Sequence, residues 1–164
     1  MIRRLILLRH AKSDWSSDGL GDHERPLNAR GRKSAPQVGR TLTARGWVPE
    51  AVRSSDSART RETWGRAAPE LPATLEPEWV PALYLASART ILEVAAQVPD
   101  EVRCALLLGH NPGMSDAATR LAGTYVELRT ADAALLEAEG PTWAVALDPT
   151  VWRLVDVIRA RDEG

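Results

Sequence analysis

The apolar run Leu5 to Leu8 breaks directly into Arg9-His10, and that junction constrains the fold more than any other stretch of the chain. A short continuous apolar run suits a strand covered on both faces, so Ile2 to Leu8 reads as a buried strand. Such a strand delivers Arg9 and His10 side by side at its C-terminal edge. A second run, Arg103 to Leu108, leads into Gly109-His110 in the same way. Beyond it, Met114, Ala117, Ala118 and Leu121 repeat at helical spacing up to Gly123, which puts His110 in a strand-to-helix turn.

Between the two runs, Ala35, Val38 and Leu42 predict a helix from about Ala29 to the stop signal at Gly46, with Pro36 a candidate kink. Ala51 to Ser54 reads as a short strand, and Trp64, Ala67 and Ala68 mark one face of a helix closed by Pro69. Thr74 to Trp79 is an edge strand at best, because Pro77 lacks the N–H that a central ladder needs. Ser87 is an N-cap for a helix carrying Ile91, Leu92, Ala95 and Val98. Ala131 to Glu139 and Val151 to Arg159 read as two further strands around the Gly140-Pro141 turn and a short Trp143 to Leu147 segment. Strands alternating with helices, then strands close together, predict an α/β fold with a mostly parallel central sheet and an antiparallel edge strand. At 164 residues the chain suits one domain spanning residues 1–164.

Lys and Arg number 21 against 22 Asp and Glu, a formal net charge of −1, so nothing global draws the chain to nucleic acid or an anionic membrane. An anion has to be bound by positive charge gathered locally. The lone Cys104 forbids an intramolecular disulfide and favours a reducing cytoplasm. Leu5 to Leu8 is too short for a signal-peptide core or a membrane span.

Ligands of open α/β sheets collect where strands end and helices begin, and Arg9, His10, Arg59 and His110 all fall at such junctions. Arginine offers a rigid fork of donors to phosphate oxygens, and a neutral imidazole accepts a phosphoryl group on nitrogen. His10 as nucleophile, with Arg9, Arg59 and His110 holding the non-bridging oxygens, would make a phosphoryl-transfer site. Backbone N–H groups near Gly113 are a further candidate anion contact. A metal site built on His10, His23 and His110 fares poorly, since Arg9 repels a dication and no His-x-His or Glu-x-x-His spacing occurs. The carboxylates Asp14, Asp18, Asp22 and Glu24 read as a solvated loop rather than a Mg²⁺ site. No P-loop or dinucleotide fingerprint is present, and no cofactor or metal is expected.

Taken together these residues resemble the histidine phosphatase superfamily, whose hallmark Arg-His-Gly triplet appears here as Arg9-His10-Ala11. Ser55 with Arg59-Thr60 and Thr63 resembles its second arginine motif, and Gly109-His110 its second histidine, a likeness running from Ile2 to about Gly123. His10 to Trp15, Arg25-Pro26-Leu27 with Arg30-Gly31, and Ala82-Leu83-Tyr84 with Ala86-Ser87 look most like the SixA-type phosphohistidine phosphatases. The resemblance implies a three-layer α/β/α, phosphoglycerate mutase-like fold. It also implies release of phosphate from phosphohistidine on a protein, such as a histidine phosphotransfer domain.

The departures bear on the proton donor and the substrate. Where mutase-like members carry Glu and Asn in the first motif, this chain has Lys12 and Ser16, which leaves Ser16 a weak candidate substrate contact. Their acidic residue aligns with Pro81, so Glu78, the nearest carboxylate, is the candidate general acid, against a solvated role beside Trp79. A basic phosphoramidate nitrogen needs such an acid less than an alkoxide does. Two alternatives stay open: an enzyme acting on a small phosphomonoester, with Glu78 or a loop aspartate as acid, and a catalytically silent phosphate-binding protein.

Overall fold

A computed structural model of the protein describes residues 1–16 and 19–160. Six strands form one sheet: β1 (Ile2–Arg9), β2 (Ala51–Ser54), β3 (Glu78–Trp79), β4 (Cys104–Gly109), β5 (Ala133–Glu139) and β6 (Trp152–Ile158). Their order across the sheet is β3-β2-β4-β1-β5-β6. β3, β2, β4 and β1 run parallel, whereas β5 is antiparallel to both β1 and β6. The antiparallel pairings thus gather on one side of the sheet, and the edge strand there, β6, points the same way as β1. Pro77 has the expected effect: only Glu78 and Trp79 of the predicted third strand pair, and they do so at the far edge.

Four helices cover the sheet: α1 (Ala29–Ala44), α2 (Ala58–Ala67), α3 (Ala88–Ala96) and α4 (Gly113–Ala122). Side chains alternate across a strand, so β1 and β4 feed two cores at once. Leu5, Leu7, Ala105 and Leu107 pack with Ile91, Leu92 and Ala95 of α3 and Met114, Ala117 and Leu121 of α4. Ile6, Leu8, Leu106 and Leu108 pack with Ala35, Val38 and Leu42 of α1 and Trp64 of α2 on the other face. These are the helices and faces that the spacing predicts, in three layers.

Local chemistry sets the helix ends. Asn28 caps α1 by accepting from the Gly31 N–H at 2.9 Å, Ser57 caps α2, and Ser87 caps α3. Gly123, at φ 71°, closes α4 in the left-handed conformation that glycine adopts most readily. α1 runs unbroken through Pro36, which forgoes only its own backbone bond to the preceding turn.

Arg3 is fully buried and paired with no carboxylate among the described residues. Its guanidinium donates to the carbonyls of Asp100, Val102 (2.8 Å), Gly140 (3.2 Å) and Pro141 (2.6 Å), tying the start of β1 to two distant turns.

Candidate active site

β1 and β4 lie side by side with Arg9 opposite Gly109, so His10 and His110 emerge as neighbours at the C-terminal edge of the sheet. Their ring centroids are 5.3 Å apart, and both residues are buried, at 6% and 2% exposure. α2 begins at the same edge and brings Arg59, 3% exposed, to a cleft of about 640 Å³ lined also by Arg9, His10 and His110. Four residues read from three separate segments of the sequence therefore meet in one cavity.

The orientation of His10 is fixed. Its Nδ1 lies 2.6 Å from the Ala11 carbonyl oxygen, which can only accept, so Nδ1 carries the proton and Nε2 keeps its lone pair. Ala11 is itself held by donating its N–H to Thr63 Oγ1 at 3.0 Å, and Thr63 donates on to the Arg59 carbonyl at 2.7 Å. The segment bearing His10 is thereby stapled to the helix bearing Arg59. Ala11 is fully buried against the core and does not have the positive φ that would demand the glycine of the related triplet.

Both imidazoles are neutral. Burial lowers the His10 pKa to about 3 against the opposing Ala11 hydrogen bond, with Arg59 and Arg9 adding like-charge repulsion. Burial, then the proximity of His10 and Arg59, lowers His110 to about 3 as well. His110 Nε2 sits 2.8 Å from Ser55 Oγ. With no other acceptor for the Ser55 hydroxyl among the described residues, its proton goes to His110 Nε2 and the ring proton stays on Nδ1, as a donor. Among the described residues, three buried donors on residues lining this cleft have no partner: Arg9 Nε, Arg59 Nε and His110 Nδ1. Buried polar atoms left bare are rare in folded proteins, and three of them on residues that line one cleft with a neutral histidine suit the binding of an anion.

Asp22, read from the sequence as part of a solvated loop, is instead drawn onto Arg59. A 3₁₀ turn, Asp22–Glu24, places its carbonyl 2.7 Å from Arg59 Nη1 and its Oδ2 3.0 Å from Nη2. Arg59 thus spends the end of its fork on Asp22 and keeps its Nε edge free. Oδ1 of Asp22 accepts from Arg25 Nε and Nη2 at 3.1 and 3.0 Å, and the Tyr84 hydroxyl donates to Oδ2. Burial by itself raises the Asp22 pKa, but hydrogen bonds from Tyr84, Arg25 and Arg59 outweigh it and hold the carboxyl well below the usual range. Sequence reasoning missed this residue and the role of Tyr84. The Asp22-x-x-Arg25 spacing was the available signal.

The remaining candidates lie elsewhere. Glu78 is bound to Arg53 at 3.0 Å on the sheet edge and does not line the cleft. Ser16 turns back to Asp14, its Oγ 2.6 Å and its N–H 2.7 Å from Oδ1, and also does not line it. Gly113 is needed for packing: a Cβ there would stand 1.9 Å from the Ala86 carbonyl oxygen. Asp18 falls outside the described residues. Among the described residues, no three His, Cys, Asp or Glu side chains gather where a metal ion would be held.

Comparison with known proteins agrees with this geometry. The sequence model described as Histidine phosphatase superfamily (branch 1) matches residues 5–106. An uncharacterized chloroplastic protein of Arabidopsis thaliana is 36% identical over 170 residues, covering 95% of this chain and 77% of the relative. A structure from Agrobacterium tumefaciens, described as a candidate phosphohistidine phosphatase SixA, superposes with a TM-score of 0.79 at 28% identity, covering 97% and 99% of the two chains. The same fold occurs in the mycobacterial glucosyl-3-phosphoglycerate phosphatase, with a TM-score of 0.72, 18% identity, and 98% and 100% coverage.

Proposed function

The chain belongs to the histidine phosphatase superfamily and is a phosphatase, and from that premise we propose that it releases phosphate from phosphohistidine on a protein. The carrying observation is the trio of bare buried donors, Arg9 Nε, Arg59 Nε and His110 Nδ1, around a neutral His10 whose Nε2 is the free nitrogen. Arg9, Arg59 and His110 bind the three non-bridging oxygens, and their fixed dipoles and charges meet the charge that shifts during transfer. His10 Nε2 attacks phosphorus in line with the substrate nitrogen. The P–N bond to the substrate imidazole breaks with its electron pair staying on that nitrogen, and the ring, protonated on its other nitrogen, departs as neutral imidazole. Water then attacks phosphorus on His10, its hydroxyl bonding to phosphorus as the His10 N–P bond breaks and the proton leaves, which yields inorganic phosphate and restores the neutral ring.

In this proposal residues 1–164 work as one domain, no metal or cofactor takes part, and Ser16, Gly113 and Glu78 have no role in the chemistry. The setting is a reducing cytoplasm, in keeping with a single buried cysteine whose thiol burial pushes up to about 12. Among the described residues no helix is long and apolar enough to cross a membrane. The glucosyl-3-phosphoglycerate phosphatase likeness keeps a small phosphomonoester as the second reading.

The test compares free phosphohistidine, a phosphohistidine protein, phospholysine, and sugar and nucleotide phosphates, with trapping of the covalent intermediate. Acid-labile, base-stable phosphate on the wild type and none on His10→Ala is expected, together with a preference for P–N substrates. Label on another residue removes His10 from its role. A preference for alkyl phosphates hands the function to the second reading.

A further inference from the structure

The four residues proposed for the chemistry occupy only the floor of the cleft. Its rim comes from three other segments: Lys12 and Trp15 just after β1, Leu85 before α3, and Arg129 after α4. Lys12 makes no ion pair or side-chain hydrogen bond among the described residues. The Arg129 side chain is 77% exposed, and its nearest carboxylate is 4.0 Å away on Asp132, which is already bonded to Arg159 at 2.7 Å. Six Lys and Arg residues against Asp22 and Asp132 line the cleft, so positive charge is concentrated here on a chain whose net charge is −1.

Two large apolar side chains stand in the same rim. Trp15 is 78% exposed and has the Arg25 guanidinium 3.5 Å from its ring centroid. Leu85 is 57% exposed and sits at φ 52°, a left-handed backbone that leucine adopts only under constraint. An exposed leucine in that conformation adds nothing to the core. Exposed apolar residues ringed by charge mark interaction sites, and tryptophan and arginine are the residues on which such sites most often depend.

We propose that the rim formed by Lys12, Trp15, Leu85 and Arg129 is a docking surface for the phosphorylated protein itself, fitting an acidic face that carries an apolar residue beside the phosphohistidine. The inference rests on the reading of the floor as the dephosphorylation site. A small polyhydroxylated phosphate has no use for two exposed apolar side chains. Charge complementarity would raise the encounter rate with an acidic protein, and Trp15 and Leu85 would slow its departure.

Free phosphohistidine and a small acidic helical protein phosphorylated on histidine with phosphoramidate present the same scissile bond, so comparing them separates docking from chemistry. Lys12→Glu with Arg129→Glu, and separately Leu85→Asp, are expected to lower kcat/KM on the protein about tenfold or more at low salt. On free phosphohistidine the same variants stay within about threefold, since the Lys12 and Arg129 side chains are both exposed and solvent and salt screen their charges. The gap should close as salt is added, and also when the acidic residues of the substrate protein are neutralised. Equal losses on both substrates, or no loss on the protein, overturn the docking surface while leaving the site chemistry intact. A wild type that cleaves neither form of phosphohistidine but does cleave phosphomonoesters overturns the proposed function, and the docking surface with it.

Discussion

Arg59→Lys separates charge from geometry at the proposed anion site. Arg59 performs two tasks with three nitrogens: Nη1 and Nη2 hold Asp22 at 2.7 and 3.0 Å, and the buried Nε is left for a phosphate oxygen. Lysine has one nitrogen and a point charge without a fork, so it serves either Asp22 or the phosphate. Loss of one preorganised donor costs on the order of 2.7–4 kcal/mol. Retained charge returns part of this, which places Arg59→Lys near a 2 kcal/mol loss, roughly 30-fold in kcat/KM at 1.4 kcal/mol per tenfold. Arg59→Ala removes the charge too and leaves the Asp22 carboxylate facing the incoming phosphate, so it should reach the upper end, about 10³-fold. The pair is half-buried, with Arg59 3% and Asp22 42% exposed, so lysine should lower stability by about 1–2 kcal/mol, a shift of roughly 2–8 °C in Tm. The measurements are steady-state kinetics on free phosphohistidine and an aryl phosphate, vanadate inhibition, and thermal melting. An Arg59→Lys enzyme within threefold of wild type would show that charge alone suffices and that the open Nε edge has no bearing on rate.

Four further outcomes follow from the same geometry. His10 and His110, neutral down to about pH 3, should show no ring titration by NMR between pH 5 and 8; an inflection near 6.5 for either would contradict their burial. Because both folded-state pKa values lie below the unfolded value of 6.5, the unfolded chain binds more protons between about 3 and 6.5, and stability should fall as pH drops through that window. Urea midpoints at pH 7 and 5 check the sign. Glu78→Gln should leave kcat and KM unchanged for alkyl and aryl phosphates alike, and a selective loss on alkyl esters would return Glu78 to the reaction as an acid. EDTA should leave the rate intact, whereas vanadate should inhibit by resembling the transferring phosphoryl group.

What the sequence discloses is what local chemistry determines. Leu5 to Leu8 and Ala105 to Leu108 can only be buried, so the two strands and the histidines at their ends are legible from a few residues each. Pro77 limits β3 because a missing N–H acts wherever the residue lies. The Asp22 contact is of another kind: it spans 37 positions to Arg59 and 62 to Tyr84, and the local Asp22-x-x-Arg25 spacing points only to the Arg25 pair. Gly113 was legible as a special residue, but the reason is the distant Ala86 carbonyl rather than a phosphate. Ser16 was readable after all, since Asp14-x-Ser16 is the spacing of an Asx turn that engages the serine locally.

The arrangement of carboxylates and imidazoles also bears on which bond this cleft can break. An oxygen ester with a poor leaving group needs a proton delivered as it departs. Asp22 cannot deliver one at neutral pH, because the donors that fix Arg59 and Arg25 around it also keep it ionised. Tyr84 directs its proton into Asp22, and burial together with that bond raises its pKa. His10 and His110 are stripped of the acidic proton by the same burial that makes His10 a nucleophile. Asp132 has its oxygens turned to Arg159 and to the N–H groups of Arg129 and Ala160. Asp22 and both imidazoles of the described cleft are thus without an acidic proton at neutral pH. In the proposed reaction such a site suits a leaving group that needs no acid from the protein: a phosphorylated imidazole protonated on its other ring nitrogen needs none, whereas an alkoxide needs one.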